Sequence, residues 1–143
     1  MWAEVRALVA GATGFVGGKL ASALAERGAE VRCLVRDREG ARAEKLERAG
    51  HELHEGDVLD RASLRGAGRG IDVAYYLVHS MGRGGDGDFQ ARERASAENF
   101  ASLAREEGLE RVVYLGGLGE NPGSKHLRSR HETARILESR AHR

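Results

Sequence analysis

Residues 5–17 of this 143-residue chain read VRALVAGATGFVG, and they decide how the rest of the chain is interpreted. An apolar run enters a glycine turn, and the apolar spacing Val16, Leu20 and Leu24 follows it. We therefore predict a buried strand, a tight turn and an amphipathic helix. Such a turn binds the pyrophosphate of a dinucleotide at the helix N-terminus. The predicted phosphate-binding residues are Gly11, Ala12, Thr13, Gly14, Phe15, Val16 and Gly17.

The three glycines of this turn have the spacing G-x-x-G-x-x-G, and each has a separate expected role. Gly11 allows a tight turn, Gly14 allows the backbone to approach the pyrophosphate, and Gly17 allows close packing of helix on strand. Glycine triplets alone are weak evidence in a chain with 20 glycines. The strand before the turn and the helix after it provide the context that favours nucleotide binding.

Strand and helix patterns alternate along the whole chain, which predicts an α/β fold with a parallel sheet. We expect a Rossmann-like, doubly wound sheet of five strands in the order 3-2-1-4-5, with helices on both faces. This order places the glycine turn at the topological switch point. The further predicted strands are 30–35, 51–55, 72–78 and 111–115, and the predicted helices are 15–27, 41–49, 60–64, 89–107 and 124–140.

Composition sets bounds on the kind of protein. The chain is 41% hydrophobic and 31% charged, with a net charge of +1, which indicates one globular domain over residues 1–143 and gives no case for a nucleic-acid or membrane partner. No apolar run approaches the roughly 20 residues that span a bilayer, and no signal peptide is visible. The single cysteine, Cys33, lies in an apolar run and is predicted to be a buried thiol, which suggests the cytoplasm.

The residues after the second predicted strand indicate which dinucleotide is bound. An acidic residue at this place binds the ribose 2′-hydroxyl of NAD, whereas an arginine accommodates the 2′-phosphate of NADP. Arg36 occupies the place and Arg38 follows it, so we favour NADP over NAD. Two alternatives stay open. Both arginines could be solvated loop charges, and Asp37 could turn inward to the ribose.

A third candidate segment, Gly56-Asp57-Val58, follows the third predicted strand. Asp57 at this strand end could accept a hydrogen bond from the adenine amino group while Val58 packs beside the ring. The alternative is a plain turn before a helix that Asp60 caps. The glycine turn and Arg36 together favour the adenine interpretation.

These segments together resemble the short-chain dehydrogenase/reductase superfamily, with the G-A-T-G-F-V-G form of its extended and atypical branches. Residues 75–81, 114–119 and 126–130 are similar to a bacterial atypical subgroup of NAD(P)-binding proteins. The resemblance implies further cofactor contacts at Val78 and His79, and a nicotinamide near Leu115 and Gly116. Members of this kind continue with further strands and a substrate-binding region, which this chain is expected to lack.

The chain departs from the superfamily at the expected catalytic positions. The Tyr-x-x-x-Lys motif falls on His126 and Arg130, and the usual serine falls near Gly116 and Gly117. We therefore assign no catalytic residue and predict an NAD(P)-binding domain without independent reductase activity. The alternative is an active NADPH-dependent oxidoreductase that acts on a small carbonyl or quinone, with His126 as proton donor.

Two further expectations concern partners and metals. An apolar stripe of Leu127, Ala134 and Leu137 predicts a homodimer through the helices 89–107 and 124–140. His51 and His54 alternate with glutamates, but no third ligand has convincing spacing, so we predict solvated strand charges and no metal site.

Overall fold

One parallel five-stranded sheet forms the centre of the molecule in the computed structural model, which describes residues 4–78, 86–115 and 125–141. The strand order β3-β2-β1-β4-β5 confirms the predicted doubly wound topology. Ala10 at the end of the central strand pairs with Leu34 on one side and Tyr76 on the other. The strands are β1 Arg6–Ala10, β2 Glu30–Val35, β3 Glu52–Glu55, β4 Val73–Tyr76 and β5 Arg111–Tyr114.

In the described part of the chain, four α-helices cover the two faces of this sheet, with α1 and α2 on one face and α3 and α4 on the other. A short 3₁₀ helix, Arg61–Leu64, lies beside α3. The predicted bounds differ from the observed ones by up to three residues, and the largest difference is the start of α3 at Asp86. The helices are α1 Phe15–Glu26, α2 Ala41–Arg48, α3 Asp86–Glu106 and α4 Lys125–Ala141.

The buried stripe of α1 differs from the predicted one. Gly17, Ala21 and Leu24 face the sheet, whereas Val16 is 51% exposed and Leu20 only partly buried. The close approach of Gly17 to the glycine turn rotates the helix so that small residues face the strand. The stripe expected at Val16, Leu20 and Leu24 was therefore wrong at its first position, although the helix itself was correct.

A hydrophobic core lies on each face of the sheet, and one of the two lies between the sheet and the helices α3 and α4. Phe100 on α3 is fully buried and its ring centroid lies 4.9 Å from that of Tyr76 on β4. Burial raises the pKa of the Tyr76 phenol above its usual range. Leu137 on α4 is only 3% exposed, because it packs into this core. This residue of the apolar stripe predicted for a dimer contact is therefore already covered within the monomer.

The polar residues around β3 are less solvated than predicted. His51 is 7% exposed, and burial lowers the pKa of its imidazole. His54 places Nε2 3.0 Å from the Ser63 carbonyl oxygen. The prediction of solvated histidines was therefore wrong, because the chain after β3 folds back over His54. No group of metal-binding side chains is found among the residues that the structure describes.

Cys33 is fully buried on β2, and burial raises the pKa of its thiol to about 12. The prediction of a buried thiol is confirmed, and its location in the cytoplasm stays a prediction. None of the helices in the described ranges combines the length and apolar character needed to cross a membrane.

Candidate functional site

A cleft of about 440 Å³ lies where β1, β2, β3 and β4 end. Its volume falls within the range of roughly 300–1,000 Å³ that small-molecule and cofactor sites occupy. The three segments singled out in the sequence meet here, together with the end of β4. The predicted site residues that line the cleft are Gly11, Thr13, Gly14, Arg36, Asp57, Val58 and Val78.

At two positions of the glycine motif, Gly11 and Gly17, the surrounding backbone leaves no room for a side chain. Gly11 has φ +94°, and a Cβ there would lie 2.7 Å from the Leu77 carbonyl oxygen. A Cβ at Gly17 would lie 2.0 Å from the Gly11 carbonyl oxygen. The closest atom to a Cβ at Gly14 is the Gly11 carbonyl oxygen at 3.3 Å, a tight contact but not a prohibitive one. Gly14 lines the cleft, so the missing side chain there leaves room for a ligand.

The helix α1 begins beside this cleft. Gly14 precedes the helix in an extended conformation and no side chain caps the first turn. Because the first amides of a helix have no acceptor within it, they form a site with a partial positive charge. A phosphate is the kind of ligand that such a helix terminus binds.

Four predicted residues of the turn do not present side chains to the cleft. Ala12 and Gly17 are buried beneath the turn, while Phe15 is 78% exposed and Val16 also points to solvent. The Lys19 ammonium lies 4.7 Å from the centroid of the Phe15 ring. Contacts between these four residues and a phosphate would use backbone amides.

The residues after β2 separate into different environments. Arg36 is exposed and lines the cleft, and no hydrogen bond or ion pair of its guanidinium occurs within the described ranges. Arg38 instead directs Nη2 to the Leu53 carbonyl oxygen on β3 at 3.0 Å. The Asp37 carboxylate accepts a hydrogen bond from the Glu39 amide at 2.9 Å, which stabilises the turn locally. Of these residues, Arg36 is therefore the one free to meet a ligand.

The loop after β3 is held by hydrogen bonds on both sides. The Asp57 amide donates to Ser63 Oγ at 2.9 Å, and Asp57 Oδ1 accepts from the Leu59 amide at 2.9 Å. Asn99 on α3 donates to the Val58 carbonyl oxygen at 2.7 Å. Asp60 occupies the N-cap position of the 3₁₀ helix as predicted, but its backbone carbonyl oxygen, and not its side chain, accepts the hydrogen bond from the Ser63 amide. These bonds fix Asp57 and Val58 at the rim of the cleft.

Two polar residues of the cleft, both on α3, were missed in the sequence, as were the apolar lining residues Leu34, Leu59 and Leu77. Arg92 and Ser96 lie one turn apart on α3 and line the cleft opposite the glycine turn and β2. Their spacing in the sequence indicates only a shared helix face. That the face meets the cleft follows from the packing of α3 against the loop after β3.

The positions implied for catalysis are only partly described. His79, Gly116 and Gly117 lie outside the described residues, as does the side chain of His126. Leu115 follows β5 and is 55% exposed. Burial and the charge of Glu93 raise the pKa of Tyr114, at the end of β5, to about 12, while the charge of Arg130 acts in the opposite direction.

The family follows from comparison with known proteins. Residues 4–135 match the model of the NmrA-like family, and the chain belongs to this family. A solved short-chain dehydrogenase/reductase superfamily protein from Agrobacterium tumefaciens shares this fold at 18% identity and a TM-score of 0.76, covering 94% of this chain and 44% of that one. The family match and this shared fold agree with the resemblance found in the sequence.

Three individual proteins are similar to this chain. A 4-hydroxy-2-methyl-3-oxo-4-farnesyl-3,4-dihydroquinoline-1-oxide ketoreductase from Stigmatella aurantiaca is 30% identical over 78% of this chain and 33% of its own length. Sterol demethylase protein B from Methylococcus capsulatus is 35% identical over 80% of this chain and 36% of its own. Triphenylmethane reductase from Citrobacter sp., complexed with NADP(H), is 22% identical with a TM-score of 0.78, covering 93% of this chain and 45% of that one. The chain thus spans about a third of the length of the curated relatives it matches.

Proposed function

We propose that residues 1–143 are the dinucleotide-binding domain of an atypical short-chain dehydrogenase/reductase and bind NADP(H) in preference to NAD(H). The observation that carries this proposal is the meeting of the glycine turn, Arg36 and the Asp57–Val58 loop in one cleft at the switch point of the sheet. Each of the three matches one part of the ligand. The glycine turn would bind the pyrophosphate, Arg36 the 2′-phosphate, and Asp57 with Val58 the adenine.

The NADP preference is supported by the charge at the ribose end of the cleft. Arg36 has no competing acidic partner within the described part of the chain, whereas Asp37 is engaged in its own turn. A guanidinium forms paired, charge-assisted hydrogen bonds with a phosphate dianion. Proteins that share this fold were solved with NADP(H) and with NAD+, so the charge of Arg36 carries the proposed preference.

Calorimetric titration of NADPH and NADH tests this proposal. We expect the parent to bind NADPH more tightly, and Arg36→Ala to narrow the difference by about 1–3 kcal/mol, the contribution of hydrogen bonds to a charged group. Arg38→Ala is the matched control, because its guanidinium bonds to β3 and should affect both cofactors equally. Equal affinities of the parent for NADPH and NADH would contradict the NADP preference, and an absence of binding would contradict the proposed site.

We further propose that this chain alone does not reduce carbonyl compounds. His126 and Arg130 replace the tyrosine and lysine that the superfamily uses, and an arginine does not release a proton at neutral pH. We expect no NADPH oxidation above background with a panel of aldehydes, ketones and quinones. Turnover that His126→Ala removes would contradict the non-catalytic assignment.

The alternative is an NADPH-dependent oxidoreductase that acts on a small carbonyl or quinone. The similarity to a ketoreductase supports it. The same substrate panel separates the two proposals, since only the alternative expects turnover that depends on His126.

A further inference from the structure

The helix α3 presents a row of polar residues to the loop after β3. Arg92, Ser96 and Asn99 follow one another at spacings of four and three, which places them on one face of the helix. Asn99 donates Nδ2 to the Val58 carbonyl oxygen at 2.7 Å and so holds this face against the loop. Arg92 and Ser96 are thereby positioned along the cleft that Asp57 and Val58 also line.

Arg92 has an unsatisfied donor at this position. The side chain is half-buried, and its Nη2 is shielded from solvent with no hydrogen-bond partner among the described residues. A guanidinium stays protonated at all physiological pH values, so it cannot reduce this cost by losing its charge. A shielded donor without an acceptor destabilises the folded protein. An acceptor on a bound ligand would satisfy it.

The surroundings of Arg92 indicate what kind of ligand atom would accept this bond. Leu34, Val58 and Leu59 give the cleft an apolar wall, and Leu59 is 46% exposed despite its apolar side chain. Asp57 adds a carboxylate acceptor to the same cleft. The cleft thus offers a carboxylate acceptor at Asp57 and a charged donor at Arg92. A flat ring that carries an amino donor next to a ring-nitrogen acceptor fits this pair. Adenine has this arrangement at its N6 and N1 atoms.

We propose that Arg92 donates a hydrogen bond to N1 of the adenine ring, while Asp57 accepts one from the amino group. Helix α3 then contributes to recognition of the base, in addition to the loop after β3. This inference rests on the proposed function, because it takes the adenosine end of the dinucleotide as the ligand of the cleft.

A cycle that combines a protein variant with a ligand variant tests this contact. Arg92→Met keeps an unbranched apolar stem and removes the guanidinium donors, and NADPH with 1-deazaadenine replaces N1 by a C–H group. We expect the parent to bind the 1-deaza analogue about tenfold more weakly than NADPH, since a lost charged hydrogen bond of about 1.4 kcal/mol corresponds to tenfold. Arg92→Met should bind NADPH about tenfold more weakly than the parent does, while its affinity for the 1-deaza analogue should stay nearly that of the parent. The exposed Arg105 on the same helix provides the control variant Arg105→Met, which should behave as the parent.

Two results would overturn the assignment of Arg92. Equal weakening of both ligands by Arg92→Met would indicate a phosphate contact, and unchanged binding would indicate no contact. If Arg92→Met does not fold, the ligand-side change decides alone, because equal affinity of the parent for the two ligands would refute a bond to N1. A parent that binds neither dinucleotide would contradict the proposed function itself, which distinguishes the two failures.

Discussion

Gly14 directly precedes α1 and Gly17 lies in its first turn, and an added methyl group would meet different surroundings at the two positions. At Gly17 it would lie 2.0 Å from the Gly11 carbonyl oxygen, so the protein itself requires a glycine there. At Gly14 the methyl carbon would lie 3.3 Å from its closest neighbour, the Gly11 carbonyl oxygen, and Gly14 lines the cleft. The same residue type therefore serves folding at one position and is proposed to serve ligand binding at the other.

This difference leads to opposite expectations for two substitutions. We expect Gly14→Val to abolish binding of NADPH while the free energy of unfolding changes by less than about 1 kcal/mol, because the side chain fills ligand space. Gly17→Ala should lower the free energy of unfolding by more than about 2 kcal/mol, because the helix must move away from the strand. Urea denaturation and calorimetric titration measure the two effects.

Gly18→Ala is the matched control for both variants. Its Cβ would lie 3.4 Å from the Ala12 carbonyl oxygen, an ordinary contact, so stability and binding should both be retained. Undiminished binding by Gly14→Val would mean that the pyrophosphate lies elsewhere.

At the scale of elements, Glu107 joins the end of α3 to the loop after the 3₁₀ helix. Its carboxylate accepts hydrogen bonds from the amides of Gly66 and Gly68, both at 2.7 Å. From the other side, Arg32 on β2 donates Nη1 to the carbonyl oxygens of Ala67 and Arg69, at 2.8 and 2.9 Å. Charged side chains thus satisfy the backbone of a loop that forms no strand or helix of its own.

We expect Glu107→Gln to lower the free energy of unfolding by about 1–3 kcal/mol, because one amide acceptor replaces two charged ones. Glu106→Gln is the control at the adjacent position. Glu106 forms an exposed ion pair with Arg61, and such pairs contribute at most about 1 kcal/mol. Urea denaturation of both variants compares them directly. An equal decrease in the free energy of unfolding in both variants would show that the hydrogen bonds of Glu107 to the loop contribute no more than an exposed ion pair.

At the scale of the whole molecule, α3 and α4 form one surface on one side of the sheet. They pack along each other, and Arg94 on α3 pairs with Glu132 on α4 at 2.5 Å. Leu137 faces the core, so association would use the outward residues of this surface. Among these, Ala91 and Ala95 are small and exposed, which permits close approach of a second helix.

The homodimer through helices 89–107 and 124–140 stays a prediction. We expect light scattering to give twice the mass of one chain, since twofold dimers are the commonest soluble oligomers. Ala95→Arg should shift the protein to the monomer by placing a large charge in the contact. Ala23→Arg on the exposed side of α1 is the control and should leave the mass unchanged. A monomer of the parent at high concentration would contradict the dimer.

The sequence by itself determined the topology, because its signals are local. The alternation of strand and helix patterns and the glycine turn were readable within short windows, and right-handed crossovers then restrict the strand order. The positions of Arg36, Asp57 and Val58 at the cleft also followed from sequence, because parallel strands all end at the same edge of the sheet. Each of these features depends on residues close together in the chain.

Only the tertiary structure decided how individual polar side chains are used. Arg36 and Arg38 look alike in the sequence, but the Arg38 guanidinium donates a hydrogen bond to a carbonyl oxygen of β3. The Asp37 carboxylate accepts a hydrogen bond from the Glu39 amide within its own turn. Arg92 resembles any helix-surface arginine until α3 packs against the loop after β3. The physical reason is that a hydrogen-bond partner is set by groups distant along the chain, which meet only when the sheet and its helices have formed.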